Sequence, residues 1–181
     1  MSPEIIKGHV PKLSIESVER LSTGDLHELC DAAEVAIMSG GGFGWLSPPP
    51  KSVMEDYWRG VLMIPERHLI VARLDKVIAG SCQILRPPRN NEAQAFTCQL
   101  TTFFIAPWAR GHGLAQMIVA ESEALAKSES FSMINLDVRS TQDRAIQSFE
   151  ARGFTRYATN DFYARVDGNF VPGFYYRKEL K

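Results

Sequence analysis

Residues 109–119 read "ARGHGLAQMIV": Gly111 and Gly113 flank a histidine, an arginine stands ahead of them, and an apolar run follows. Glycine loses more conformational freedom on folding than other residues, so two of them at a helix start need a reason. A helix N-terminus presents unpaired backbone N–H groups and the positive end of the helix dipole, and bare backbone lets an anion reach them. The stretch before the glycines, "FTCQLTTFFI" (96–105), is rich in aromatic and β-branched residues and ends at Pro107, as a central strand should. A strand, a glycine turn and a helix in that order point to an α/β architecture, and the glycines either admit an anion to the helix start or simply make the turn.

The remaining segments fit that frame. "IESVERL" (15–21) predicts a first strand. Ser22 and Asp25 have capping-box spacing, and Leu26, Leu29, Ala33 and Ile37 follow at helical period until Gly40, Gly41 and Gly42. "GFGWLSPPP" reads as a loop, and Val53, Met54, Tyr57, Trp58 and Val61 as the apolar face of a second helix. "HLIVARL" (68–74), an Asp75–Lys76 turn and "VIAGSCQIL" (77–85) predict a hairpin, followed by an exposed connector over 86–94. Leu114, Met117, Ile118, Glu121 and Leu125 trace a helix of about four turns. "MINLDV" (133–138) reads as a buried strand, Asp143–Arg152 as a short helix ended by Gly153, and "FTRYA" and "FVPGFYYRKEL" as two last strands.

Composition excludes several function classes. At 181 residues with 45% hydrophobic and 23% charged, the chain has ordinary single-domain values. A net charge of −1 argues against a nucleic-acid module. No apolar run approaches the roughly 18 residues of a membrane span, and "MSPEIIKGHV" lacks a signal-peptide core. Cys30, Cys82 and Cys98 are an odd set without CxxC spacing, which fits buried thiols in a cytoplasmic protein. His9, His27, His68 and His112 are scattered without i,i+4 pairing, so no metal site is expected. A dinucleotide fingerprint fails at Gln116, and no Walker A sequence occurs.

The remaining pattern is R-x-x-G-x-A, met as Arg110, Gly113 and Ala115 directly after a strand ending in "FFIAP". Here the chain resembles the GNAT superfamily, the Gcn5-related N-acetyltransferases. The resemblance spans roughly 15–181 and leaves 1–14 as an N-terminal arm. It implies one twisted mixed sheet of about seven strands flanked by about four helices, with the fourth and fifth strands splayed. It also implies acetyl-CoA as co-substrate. Phe103, Phe104 and Ile105 would contact its pantetheine arm, and Arg110, Gly111, His112, Gly113, Leu114 and Ala115 its pyrophosphate. A second family signature reads "QDRAIQSFEARGF" (142–154) here, in which Ala145, Gly153 and Phe154 match. Gln142 stands where an asparagine usually contacts the cofactor. Phe149 stands where a tyrosine usually protonates the departing thiolate. "GFGWLSPPP…YWRGVL", "LDVRS" and "YARVDGNFVPGFYYRKEL" are most similar to tabtoxin-resistance-type acetyltransferases. In that group the acid matching Asp137 is proposed to act in catalysis. Gln99 occupies a fourth-strand position that carries Glu in many relatives.

Each candidate also has a plainer role. Asp137 is either a site acid or a strand-end cap. His112 reads as a surface residue of the loop, Tyr57 and Trp58 as core, and Cys98 as a small buried hydrophobe. Trp45 serves either an acceptor lid or packing. Tyr163 and Asp167 fall between the last two strands, where relatives shape the acceptor pocket, and Asp167–Gly168 is also an ordinary turn pair. The expectation is an acetyltransferase acting on a small-molecule primary amine, with Asp137 as catalytic acid–base group and Trp45, Tyr163 and Asp167 at the acceptor. A non-catalytic acyl-CoA-binding module and a protein N-acetyltransferase stay open, as does a homodimer.

Overall fold

The computed structural model describes residues 10–181. The arm through residue 9, with His9, lies outside the described residues. The elements, in chain order, are β1 (Leu13–Val18), α1 (Thr23–Met38), α2 (Lys51–Met63), β2 (Arg67–Leu74), β3 (Val77–Leu85), β4 (Thr97–Ile105), α3 (Leu114–Ser128), β5 (Met133–Arg139), α4 (Asp143–Ala151), β6 (Thr155–Val166) and β7 (Asn169–Glu179). The strands form one seven-stranded sheet in the order β1-β2-β3-β4-β5-β7-β6. All neighbours are antiparallel except β4 and β5, which run parallel.

Period-two alternation divides the core. On β2, Leu69 and Val71 join α1 and α2 on one face, while Ile70 and Ala72 join α3 on the other. Both helical layers follow from sequence: α1 starts at a reciprocal Ser22–Asp25 capping box and buries Leu26, Leu29, Ala33 and Ile37. Trp58 of α2 is fully buried, as core packing requires, and Ile118 and Val119 anchor α3. All three cysteines are buried free thiols, and burial pushes the Cys82 thiol up to about 12. Among the described residues no helix is long and apolar enough to cross a membrane.

Two strands differ from the sequence reading. β1 starts at Leu13 rather than 15 and ends at Val18 rather than 21, because pairing with β2 from Leu74 to Leu69 sets its extent. β6 runs twelve residues, to Val166, not the five of "FTRYA". Its residues 155–162 are all exposed on the sheet edge, so no buried alternation marked its length in the sequence. Tyr163 therefore lies on a strand, not in a connector.

What positions the site is a split in the sheet. β4 and β5 pair only at Thr97↔Met133, Cys98↔Ile134 and Gln99↔Asn135. Beyond that rung β4 stays with β3 while β5 stays with β7. An extra residue on β4, where Thr102 has φ 52°, bulges the strand and helps turn it away.

Candidate active site

Two cavities share the split. The first, about 760 Å³, lies between Leu100–Phe103 of β4 and Leu136–Arg139 of β5 and is walled by Trp45, Tyr57, Phe149 and Tyr163. The second, about 410 Å³, follows the end of β4 over the α3 N-terminus to α4. Gly42, Phe103, Gln142 and Ala145 line both, so the two meet.

The second cavity is built for an elongated anion. Gly111 and Gly113 have φ of 83° and 85°, the left-handed region that glycine enters without strain. Gly113 is the N-cap of α3, and no side chain caps that helix, leaving its first N–H groups facing outward. A Cβ at either glycine would meet nothing within 4 Å, so the approach is open. Arg110 and Arg144 line the same cavity. Burial, and then the charge of Arg144 nearby, draw the Arg110 guanidinium below its ordinary value. Phe103, Phe104, Ile105, Leu114 and Ala115 complete the wall. His112 does not line it; its Nδ1 lies 3.1 Å from the Ala109 carbonyl oxygen. These residues fit a pyrophosphate at the glycines and an apolar arm along β4.

The first cavity holds the titratable groups. Asp137 accepts from Gln99 Nε2 at 2.9 Å on Oδ1 and from the Tyr163 hydroxyl on Oδ2. Burial, then the hydrogen bond and charge of Asp137, push the Tyr163 phenol well above its ordinary value of 10. The phenol is therefore neutral and donates. Phe149 is buried, 5.0 Å from the Phe103 ring, and presents an apolar wall where the family signature has a hydroxyl. Asp167 sits at the hairpin tip, exposed with φ 49°, and does not line the cavity.

The 40–46 loop roofs the first cavity. Trp45 stacks on Phe43 and meets Tyr57 edge-on at 5.2 Å. Gln142 Nε2 donates to Gly40 O at 2.5 Å, and Arg139 Nη2 donates to Gly41 O and Phe43 O at 2.8 and 2.6 Å. Arg139 and Arg144 fall inside the stretches "LDVRS" and "QDRAIQSFEARGF" but were given no role from sequence. Arg139 had a signal there, since it stands two residues from Asp137 and a strand puts both on one face. Nothing local marked Arg144 apart from other helix-surface charge.

Comparison with known proteins agrees with this arrangement. The family model for the Acetyltransferase (GNAT) family matches residues 33–154. An "uncharacterized N-acetyltransferase in hisH-hisA intergenic region" of Azospirillum brasilense is 56% identical over 132 residues, covering 73% of this chain and 79% of the relative. An N-acetyltransferase from Staphylococcus aureus Mu50 has the same fold, with TM-score 0.79 at 14% identity over 94% of this chain and 99% of that one. A GNAT superfamily phosphinothricin acetyltransferase from Sinorhizobium meliloti, in complex with AcCoA, superposes with TM-score 0.75 at 15% identity over 93% and 88%. With its split sheet, uncapped glycine turn and matched signatures, the chain belongs to the GNAT family of acetyltransferases and uses acetyl-CoA as its acyl donor.

Proposed function

We propose that this acetyltransferase acts on the primary amine of a small molecule, which attacks the thioester directly. The observation that carries this reading is the roofed first cavity. Its volume of about 760 Å³ falls among pockets that enclose small ligands, and the Trp45 loop covers it. A flat or open groove would suit a protein surface better.

Acetyl-CoA supplies the activated acetyl group. Arg110 and the backbone of Gly111, Gly113, Leu114 and Ala115 hold its pyrophosphate, and Phe103, Phe104 and Ile105 hold the pantetheine arm. Backbone N–H groups of β4, freed where it leaves β5, orient the acetyl carbonyl and stabilise charge developing on its oxygen. The Asp137 carboxylate takes the proton that the amine must lose.

The test is thiol release from acetyl-CoA with L-amino acids, polyamines and a lysine peptide as acceptors. A small amine should support turnover. Asp137→Asn should lower kcat by about 10²-fold, the scale of general base catalysis, with CoA affinity unchanged by calorimetry. A lower Tm with unchanged kcat would make Asp137 a structural residue. Turnover with the peptide alone would make the acceptor a protein.

A further inference from the structure

A hydroxyl stands on the wall of the acceptor cavity even though position 149 lacks one. It belongs to Tyr163, and the chain departs from regular structure to put it there. Between Asn160↔Gly173 and Ala164↔Val171, β6 advances four residues while β7 advances two, so the surplus buckles out of register. Asn160 Oδ1 accepts the Phe162 N–H at 3.0 Å and braces the buckle. The Tyr163 ring then lies on the bare backbone of Gly173, where a Cβ would stand 2.0 Å from its Cγ. Tyr175 meets the ring edge-on at 6.2 Å. The groups facing the hydroxyl are Asp137 and Arg139 from β5 and Tyr175 from β7.

We propose that Tyr163 is a catalytic acid, giving a proton to the CoA sulfur as it leaves and recovering one from Asp137. The inference rests on the acetyl-transfer reading above. The amine nitrogen bonds to the acetyl carbon as the carbon–sulfur bond breaks, and the sulfur keeps that electron pair. Asp137 takes the proton from nitrogen, Tyr163 passes its own proton to sulfur, and Asp137 restores Tyr163. The products are the amide and the free thiol, with both side chains returned to their starting states.

Two features favour this over a ring that merely shapes the pocket. Asp137 holds one hydrogen bond on each oxygen, from Gln99 Nε2 and from the Tyr163 hydroxyl. These bonds suit a carboxylate that accepts a proton and hands it on through the same contact. The phenol also stays protonated until Asp137 is neutralised, because burial and the adjacent carboxylate both oppose its ionisation. Proton gain at Asp137 and release from Tyr163 are thus linked in time.

Tyr163→Phe keeps the ring on Gly173 and removes only the hydroxyl. We expect kcat at pH 7 to fall at least tenfold, with amine KM and CoA affinity within twofold of wild type. Adding Phe149→Tyr in that background should return part of the lost rate, since it places a hydroxyl on the same cavity wall. A readout independent of turnover is the thiolate absorbance of CoA bound to each protein. The free thiol resembles cysteine, with a pKa of about 8.5, and a donor on sulfur favours the thiolate. The bound thiol should therefore titrate at higher pH in Tyr163→Phe than in wild type. An unchanged kcat, a change confined to amine KM, or an unchanged thiol titration would each overturn the proposal. If wild type binds CoA but acetylates no amine, the acceptor reading fails, while the titration still judges whether Tyr163 reaches the sulfur.

Discussion

Arg139, on the last rung of β5, donates to the carbonyl oxygen of Phe43 at 2.6 Å, joining the strand that carries Asp137 to the loop that carries Trp45. Arg139 is 9% exposed; its bond to Phe43 is buried and that to Gly41 partly so. Hydrogen bonds from a charged donor in such a place contribute about 1.5–3 kcal/mol. Arg139→Gln should release the roof of the acceptor cavity. We expect amine KM to rise about tenfold, equivalent to about 1.4 kcal/mol, and protease cleavage within 40–46 to quicken. Equal cleavage rates in the two proteins would mean that the loop is held by Phe43 and Trp45 packing alone.

Gly173 tests the placement of Tyr163 from the other side. Its backbone φ lies outside the left-handed region, and the three atoms nearest an added Cβ all belong to the Tyr163 side chain, so Gly173→Ala presses first on that ring. Overpacking of this kind costs about 1–3 kcal/mol. The variant should lose stability on that scale and lose kcat as Tyr163→Phe does, while calorimetry finds CoA affinity unchanged. Full activity would show that the ring can move aside without consequence.

Gly113→Asp tests the anion cradle. A Cβ there meets nothing within 4 Å, but aspartate brings negative charge and a strained φ of 85° to the α3 N-cap. CoA affinity should fall at least tenfold, about 1.4 kcal/mol, with circular dichroism preserved. Arg110→Ala should weaken binding less, because salt screens a partly exposed cation. Undiminished affinity in Gly113→Asp would place the pyrophosphate elsewhere.

Glu123 gives a pH-dependent prediction. It is 6% exposed on α3 and receives Arg152 at 2.8 Å and Lys178 at 2.9 Å, tying α3 to α4 and β7. Burial pushes its carboxyl up, but the hydrogen bonds and charges of Arg152 and Lys178 outweigh burial and hold it below the ordinary 4.5. A carboxyl lowered by folding stabilises the fold above its unfolded value and loses that contribution as pH falls through the folded one. Glu123→Gln should therefore lower Tm most above pH 5, by an amount matching about 3 kcal/mol. The gap to wild type should close as pH falls below 4.5. A gap independent of pH would assign the loss to packing.

The parts of the molecule readable from sequence are those fixed by near neighbours. The Ser22–Asp25 cap, the hairpin turning at Asp75–Lys76 and the glycine entry to α3 each depend on residues a few positions apart. Tyr163 was placed near the acceptor by resemblance, but its contact with Asp137 joins residues 26 apart and depends on a buckle in β6. An edge strand exposed along most of its length carries no alternation from which that buckle can be inferred. Phe149 marked a missing hydroxyl through the family signature, whereas nothing in the sequence paired the Tyr163 hydroxyl with Asp137. Asp167, three residues before the strand's partner Phe170, looked like a pocket residue only while β6 was read as short.

α1 and α3 begin in opposite ways: the first closes on its own Ser22 and Asp25, the second on Gly113 with no side chain to meet its leading amides. On the proposed placement, the pyrophosphate of the acyl donor would meet those amides and act as a stabilising ligand of the fold. At one hundred times its dissociation constant a ligand bound only to the native state adds about 2.7 kcal/mol of stability. The same placement would make the protein without its acyl donor the less stable form, with the opened start of α3 as the reason.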